Sequence, residues 1–349
     1  VHEASRDCAA GTAKLGLSSK IKGKKMKFNT LIAALATAVA GMTAAGTAAA
    51  QSYPTKPIRL IVGFAPGGSN DIIARLLAPK LGDVLKQQVV VENRPGAAGN
   101  IAADVVLKAP PDGHTIFMCT TGTLSIQPFL PQRMPFDVND IAPITQIGNT
   151  PYLMLVNKDM PATSVKTFID YAKSHPNQVN FASSGNGTTA HLAGEMLRSK
   201  ANIDIVHVPY KGAGQAMVDL TSGRVSLMFD QAVSSMPQVN SGSLRALAVV
   251  SAHRLPSLPH LPTTSEAGLP GFDPIPWTGL CTARGVPDDA IATLQKALAQ
   301  VLTEPAVRDR LLADGIEPIG STPAEFATFL AADKAKWGGL VKDADIKPE

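Results

Sequence analysis

IRLIVGFAPGGSNDIIARLLA, residues 58–78, spells a strand, a turn and a helix in succession. Residues 58–64 are short and rich in branched side chains, as a buried strand requires. Ala65-Pro66-Gly67-Gly68-Ser69 ends it, because Pro66 fixes its own backbone while two glycines allow a tight reversal. From about Asn70 the apolar residues fall at helical spacing, with Ile72, Ile73, Leu76, Leu77 and Leu81 on one face. Pro79 is expected to kink this helix, since it brings no N–H to the ladder.

The alternation continues outward. Residues 89–91 and 115–119 read as strands, 99–108 as a helix and 120–123 as a loop. Near Thr150 the pattern restarts with a strand at 152–156 and a helix capped by Ser164. A strand at 179–182 precedes a helix with Leu192, Met196 and Leu197 turned inward, and strands follow at 205–208, 227–229 and 244–250. Residues 256–276, rich in proline and glycine, mark a crossing segment. Residues 277–281 form a further strand, and helices at 288–302, 305–313 and 323–340 close the chain. This order predicts an α/β fold with largely parallel sheets, and the length predicts two domains.

Residues 1–50 have another character. Lys20, Lys22, Lys24, Lys25 and Lys27 precede an apolar stretch that begins at Leu31 and runs into Ala48-Ala49-Ala50. That is the order of a secretory signal peptide, so cleavage is expected after Ala50, with Met26 as an alternative start, and the product is expected in the periplasm. The apolar run is too short and alanine-rich for a membrane span. Past residue 50 the chain holds 25 basic and 26 acidic residues, a net of −1, so the positive charge of the full sequence resides in the leader. A nucleic-acid partner is thereby excluded. Cys119 and Cys281 lie in apolar strand-like runs; two buried free thiols are expected, although export leaves a disulfide open.

Two strand-to-helix turns carry the chemistry. The first joins Phe64 to Ala65, Pro66, Gly67, Gly68 and Ser69, where free amides and the dipole of the following helix favour an anion. The second is Ser183-Ser184-Gly185-Asn186-Gly187-Thr188-Thr189, which adds hydroxyls to glycine-freed backbone. Residues 185–190 also fit a G-x-G-x-x-A dinucleotide pattern, but Val208-Pro209-Tyr210 supplies no acid at the next strand end to hold a ribose. Around these turns stand Thr121 and Thr123, His191, Tyr210 and Lys211, and Asp230, each near a strand end or helix start. Lys211, Thr123, His191 and Asp230 are the candidates for reading the far end of a ligand. Each also has an ordinary structural role open to it, as a helix cap or solvated side chain.

No G-x-S-x-G elbow, C-x-x-C pair, H-E-x-x-H or phosphate loop occurs, and the seven histidines lack metal-ligand spacing. The residues suit holding a molecule. No catalysis, cofactor or metal is expected. A hydrolase built on Ser183 or Ser184 with His191 is the enzymatic alternative, and it has no orienting acid nearby in sequence.

With these residues in view, the chain resembles the Bug proteins, solute receptors of tripartite tricarboxylate transport systems. The likeness rests on YPTKPIRLIVGFAPGGSNDIIARLLA, VVVENRPGAAGNIAADVV, FASSGNGTTAHLAGEML, VPYKGAGQAMVDLTSGRVSLMFD and PTTSEAG, in that order along the chain. It implies a type II periplasmic binding fold, with one domain from residues 51–150 plus 274–349 and another from 151–273. It also implies a small carboxylate (a di- or tricarboxylate, an acidic amino acid or an aromatic acid) held against residues 65–69 and 183–188. A monomer that delivers its ligand to membrane permease subunits is the expected form, and signalling to a sensor kinase is the alternative. Lys86-Gln87-Gln88 departs from the glycine-containing turn of that pattern.

Overall fold

The computed structural model describes residues 53–131 and 134–343; the expected leader and its cleavage point lie outside them. The first strands and helices are β1 (Ile58–Val62), α1 (Ser69–Leu85), β2 (Val89–Asn93), α2 (Asn100–Leu107), β3 (Thr115–Thr120) and β4 (Ile141–Asn149). The chain then makes β5 (Tyr152–Asn157), α3 (Val165–Ser174), β6 (Val179–Ser183), α4 (Thr189–Ala201) and β7 (Ile205–Pro209). After these come α5 (Ala213–Thr221), β8 (Leu227–Gln231), α6 (Ala232–Asn240) and β9 (Leu244–Val250). It ends with β10 (Trp277–Ala283), α7 (Asp288–Thr303), α8 (Pro305–Ala313) and α9 (Pro323–Asp343).

Two five-stranded sheets share one plan, in the orders β2-β1-β3-β10-β4 and β7-β6-β8-β5-β9. β1 runs parallel to β2 and β3, and β6 parallel to β7 and β8. β10 is antiparallel to β3 and β4, and β5 antiparallel to β8 and β9. The sheets are therefore mixed, which corrects the expectation of largely parallel pairing. The reversed strands are the two by which the chain passes from one sheet to the other. Their leading ends lie side by side, where Thr150 donates through its amide (2.8 Å) and hydroxyl (3.3 Å) to the Pro276 carbonyl.

Alternate strand residues feed opposite faces. Ile58, Leu60 and Val62 pack with Ile73, Leu77 and Leu81 of α1 and Leu298 of α7, while Ile61 and Phe117 meet Phe326 of α9 on the other side. In the second sheet Phe181 and Phe229 pack with Phe168 and Leu197, and Leu153, Leu155 and Met228 with Leu220. Each fully buried aliphatic or phenyl side chain contributes about 1.5–3 kcal/mol.

Cys119 and Cys281 form a disulfide rather than two free thiols. In the β3–β10 register Cys119 faces Gly279 and Cys281 faces Phe117, so the cysteines sit diagonally on one face with Cα atoms 5.9 Å apart. That spacing lies within bridging range.

Local chemistry explains the element ends. α1 continues past Pro79, which lies on its exposed side, and closes at Lys86, whose φ of 55° fills the left-handed position expected of glycine. Ser164 and Thr167 form a reciprocal capping box at α3. Of residues 120–123, expected as a loop, Thr120 ends β3 and the rest belong to a helical segment: a π-helical turn at Gly122–Ile126 runs into a 3-10 turn at Gln127–Phe129. Such wide turns concentrate at functional sites. Among the described residues no helix is long and apolar enough to cross a membrane.

Candidate functional site

The parallel strands present their carboxyl ends to the space between the sheets, where open α/β sheets take their ligands. The reversed strands present their amino ends to the same space. A cleft results between the sheets. Gly68, Ser69 and Asn70 line it from the start of α1, and Thr188, Thr189 and Ala190 from the start of α4. Ala213, the first residue of α5, lines it as well. Three helix amino ends thus face one cavity, each bringing backbone N–H groups and the positive end of a dipole.

Each turn is held by its own network. Asp71 accepts hydrogen bonds from the Gly67 amide (3.0 Å), the Asn93 side chain (2.9 Å) and the Arg75 guanidinium (3.0 Å), and Asn93 also donates to the Phe64 carbonyl. Burial alone would raise the Asp71 carboxyl, but bonds from Arg75, Gly67 and Asn93 outweigh it and hold it below the ordinary range. In the second turn the Thr188 hydroxyl donates to the Gly185 carbonyl (2.7 Å) and accepts the His191 amide (3.4 Å) as the cap of α4.

The floor of the cleft is acidic. Asp230 is 4% exposed and lines the cavity. Burial pushes its carboxyl up to about 6, against the opposing bonds from Ser234 and the Gln231 amide. Ser234 donates to Asp230 at 2.5 Å, and its hydroxyl lies 2.7 Å from that of Ser69. Tyr152 also lines the cleft; burial, then the neighbouring Asp230 charge, holds its phenol above the ordinary range.

Among the residues singled out in the sequence, Phe64, Gly68, Ser69, Ser184, Thr188 and Asp230 line this cleft. Gly185, Tyr210 and Lys211 line an adjoining cavity, which shares Phe64 and Ser184 with the first. The rest take other roles. Ala65 and Pro66 approach the Gly212 and Gly214 backbones of the opposite side, and Gly67 turns at a φ of 82°. Gly187, at a φ of 72°, lies against Gln127, which donates to the neighbouring Asn186 carbonyl (3.2 Å).

Thr121 accepts the Trp277 amide (2.8 Å), and Thr123 donates to the Ala98 carbonyl (2.8 Å); both are fully buried and line neither cavity. Ser183 is likewise fully buried, 2.7 Å from His207 Nε2 and accepting the Gly185 amide at 3.1 Å. His191 accepts the Gly187 amide at Nδ1 (3.1 Å) and stacks on His207 with ring centres 4.0 Å apart. Thr121, Thr123, Ser183 and His191 therefore brace the walls; of the residues of the hydrolase alternative, Ser184 lines the cleft, and Ser183 and His191 do not.

Thr189, named in the second turn, also lines the cleft; sequence reading missed Asn70 and Ala190, which follow the named turns at the helix starts. It also missed Tyr152 and Trp277, which open the reversed strands; a rule keyed to carboxyl ends passes over them. Among the described residues no group of His, Cys, Asp and Glu could hold a metal ion.

The arrangement has close counterparts. The chain is 36% identical to an R. palustris protein solved with adipate, covering 85% of this chain and all of the other, at a TM-score of 0.83. The periplasmic binding protein BugD is 32% identical (85% and 100% covered, TM-score 0.82). MatC from Rhodopseudomonas palustris with bound malate is also 32% identical (83% and 100% covered, TM-score 0.79). Residues 73–346 match the model of the tripartite tricarboxylate transporter family receptors. With that match covering most of the chain, from within α1 to the end of α9, the chain belongs to the tripartite tricarboxylate transporter family of receptors.

Proposed function

We propose that this chain is a periplasmic receptor that captures a small carboxylate and hands it to the membrane permease of a tripartite transporter, with no chemistry of its own. The observation that carries this reading is the convergence of the α1 and α4 amino ends on one cleft from opposite sheets. A carboxylate between them accepts amides from both sides. Its differential contacts then favour the arrangement in which the sides are together. The dicarboxylates held by the R. palustris relatives support the ligand class. The division of the chain into lobes of 51–150 plus 274–349 and 151–273 belongs to this proposal. It follows the crossings between β4 and β5 and between β9 and β10.

Thermal unfolding of the exported form against a panel of mono-, di- and tricarboxylates tests the proposal. A true ligand at a hundred times its dissociation constant adds about 2.7 kcal/mol. A clear upward shift is expected for at least one member. A panel without any shift contradicts the reading.

A further inference from the structure

A small apolar cluster outside the cleft joins helices of the two sheets. Leu192 of α4 packs with Ile126 of the π-helical turn and with Trp337 and Val341 of α9. Leu192, Ile126 and Trp337 are at most 1% exposed. α9 is anchored on the first sheet, where Phe326 packs with Ile61 and Phe117 and meets Trp277 edge-on. α4 packs on the second sheet, where Leu197 meets Phe181. The first sheet thus carries a socket that receives one leucine from the other side. The Leu192 amide donates to the Thr188 carbonyl (3.1 Å), so this leucine lies one turn from the cleft lining. Gln127 supports the same junction, accepting from the Asn100 side chain (3.3 Å) and donating to the Asn186 carbonyl (3.2 Å). Behind the socket, Asp333 accepts the indole N–H of Trp337 (3.2 Å) and that of Trp277 (2.6 Å). Since Trp277 lines the cleft, one buried carboxylate fixes the socket and a cleft wall together.

We infer that Leu192 is a positioning residue for capture: seated in the Ile126–Trp337–Val341 socket, it holds the amino end of α4 against the first sheet and so sets how tightly the cleft keeps a ligand. This rests on the proposed capture between two sides that come together, and goes beyond it to the apolar contact that keeps them so. Leu192, Ile126, Trp337 and Val341 line neither the cleft nor the adjoining cavity, so the effect reaches the ligand only through the placement of α4. Parting the sides would return the leucine and the indole face to water. A contact made in only one of two arrangements shifts the balance toward that arrangement, and the ligand affinity follows.

Calorimetric titration with adipate and with malate tests it, on the unaltered protein and on Leu192→Ala, Leu192→Met and Val341→Ala. Leu192→Ala is expected to weaken binding about tenfold or more, because it empties the socket. Leu192→Met nearly conserves the volume and is expected to stay within about threefold of the parent. Val341→Ala trims the socket from the α9 side and is expected to cost about threefold, so the test does not hang on one variant folding. A lower melting temperature with unchanged affinity in both alanine variants overturns the inference, since the leucine would then be ordinary packing. A methionine variant as weak as the alanine one overturns it as well. If neither acid binds the unaltered protein, capture of these acids fails, and small-angle scattering without ligand decides the socket separately. Both alanine variants are then expected to be more extended than the parent, and equal radii overturn the inference.

Discussion

The hydroxyls of Ser69 and Ser234 meet at 2.7 Å, although 165 residues separate them and they belong to helices on different sheets. Ser69 opens α1 at the end that lines the cleft, and Ser234 lies in α6, one turn beyond Asp230. Since Ser234 donates to Asp230, its oxygen is left to accept from Ser69. The contact therefore ties the first anion turn to the acidic floor of the cleft.

Removing this tie weakens capture without touching the cavity lining. Ser234→Ala is expected to lower carboxylate affinity about fivefold, as loss of a hydrogen bond worth about 1 kcal/mol would do. Small-angle scattering of the unliganded variant is expected to show a more extended particle. Unchanged affinity and unchanged scattering would mean the contact plays no part in closure.

Asp230 gives binding and stability a definite pH dependence. Burial raises its folded pKa from 3.8 to about 6, so the folded state keeps the proton longer than the unfolded chain. Its stability contribution is most favourable below 3.8 and declines as pH rises through 6, by at most on the order of 3 kcal/mol. Asp230→Asn is expected to flatten the fall in urea-measured stability between pH 5 and 8. Carboxylate affinity is expected to decline above pH 6 in the parent, by up to tenfold per unit, because an ionised Asp230 repels the ligand. The groups facing it, Tyr152, Ser234 and the Gln231 amide, carry no compensating positive charge. Affinity that rises with pH would instead mean that the ligand donates to Asp230.

The Cys119–Cys281 bridge spans a sequence separation of 162 residues and joins β3 to the returning strand β10. Closing so long a loop restricts the unfolded chain, typically by 2–4 kcal/mol. The double variant Cys119→Ser, Cys281→Ser is expected to melt roughly 5–10 °C lower, with ligand affinity retained because neither residue lines the cleft. An unchanged melting temperature would show that the bridge adds nothing.

Much of this molecule is legible in its sequence because strand and helix alternate with clear punctuation. The run at 58–78 already contains β1, the first turn and the start of α1. The α5 and α6 helices and strand β4 were not read, since their short apolar runs carry weak periodicity between glycines, serines and prolines. Strand direction was not legible either. A reversed strand such as β5 has the same local composition as a parallel one, and its reversal decides that Tyr152 reaches the ligand space. The wall-bracing roles of Ser183 and His191 escaped for a related reason. Both depend on His207, a residue from another strand that sequence order leaves well apart from them.

A crystal structure of the protein with a bound carboxylate would examine the clasp itself. One carboxylate group is expected to lie within 2.7–3.2 Å of backbone nitrogens from both the α1 and the α4 first turns. A ligand carboxylate bound through only one of those helix ends, or seated elsewhere on the molecule, would contradict the account.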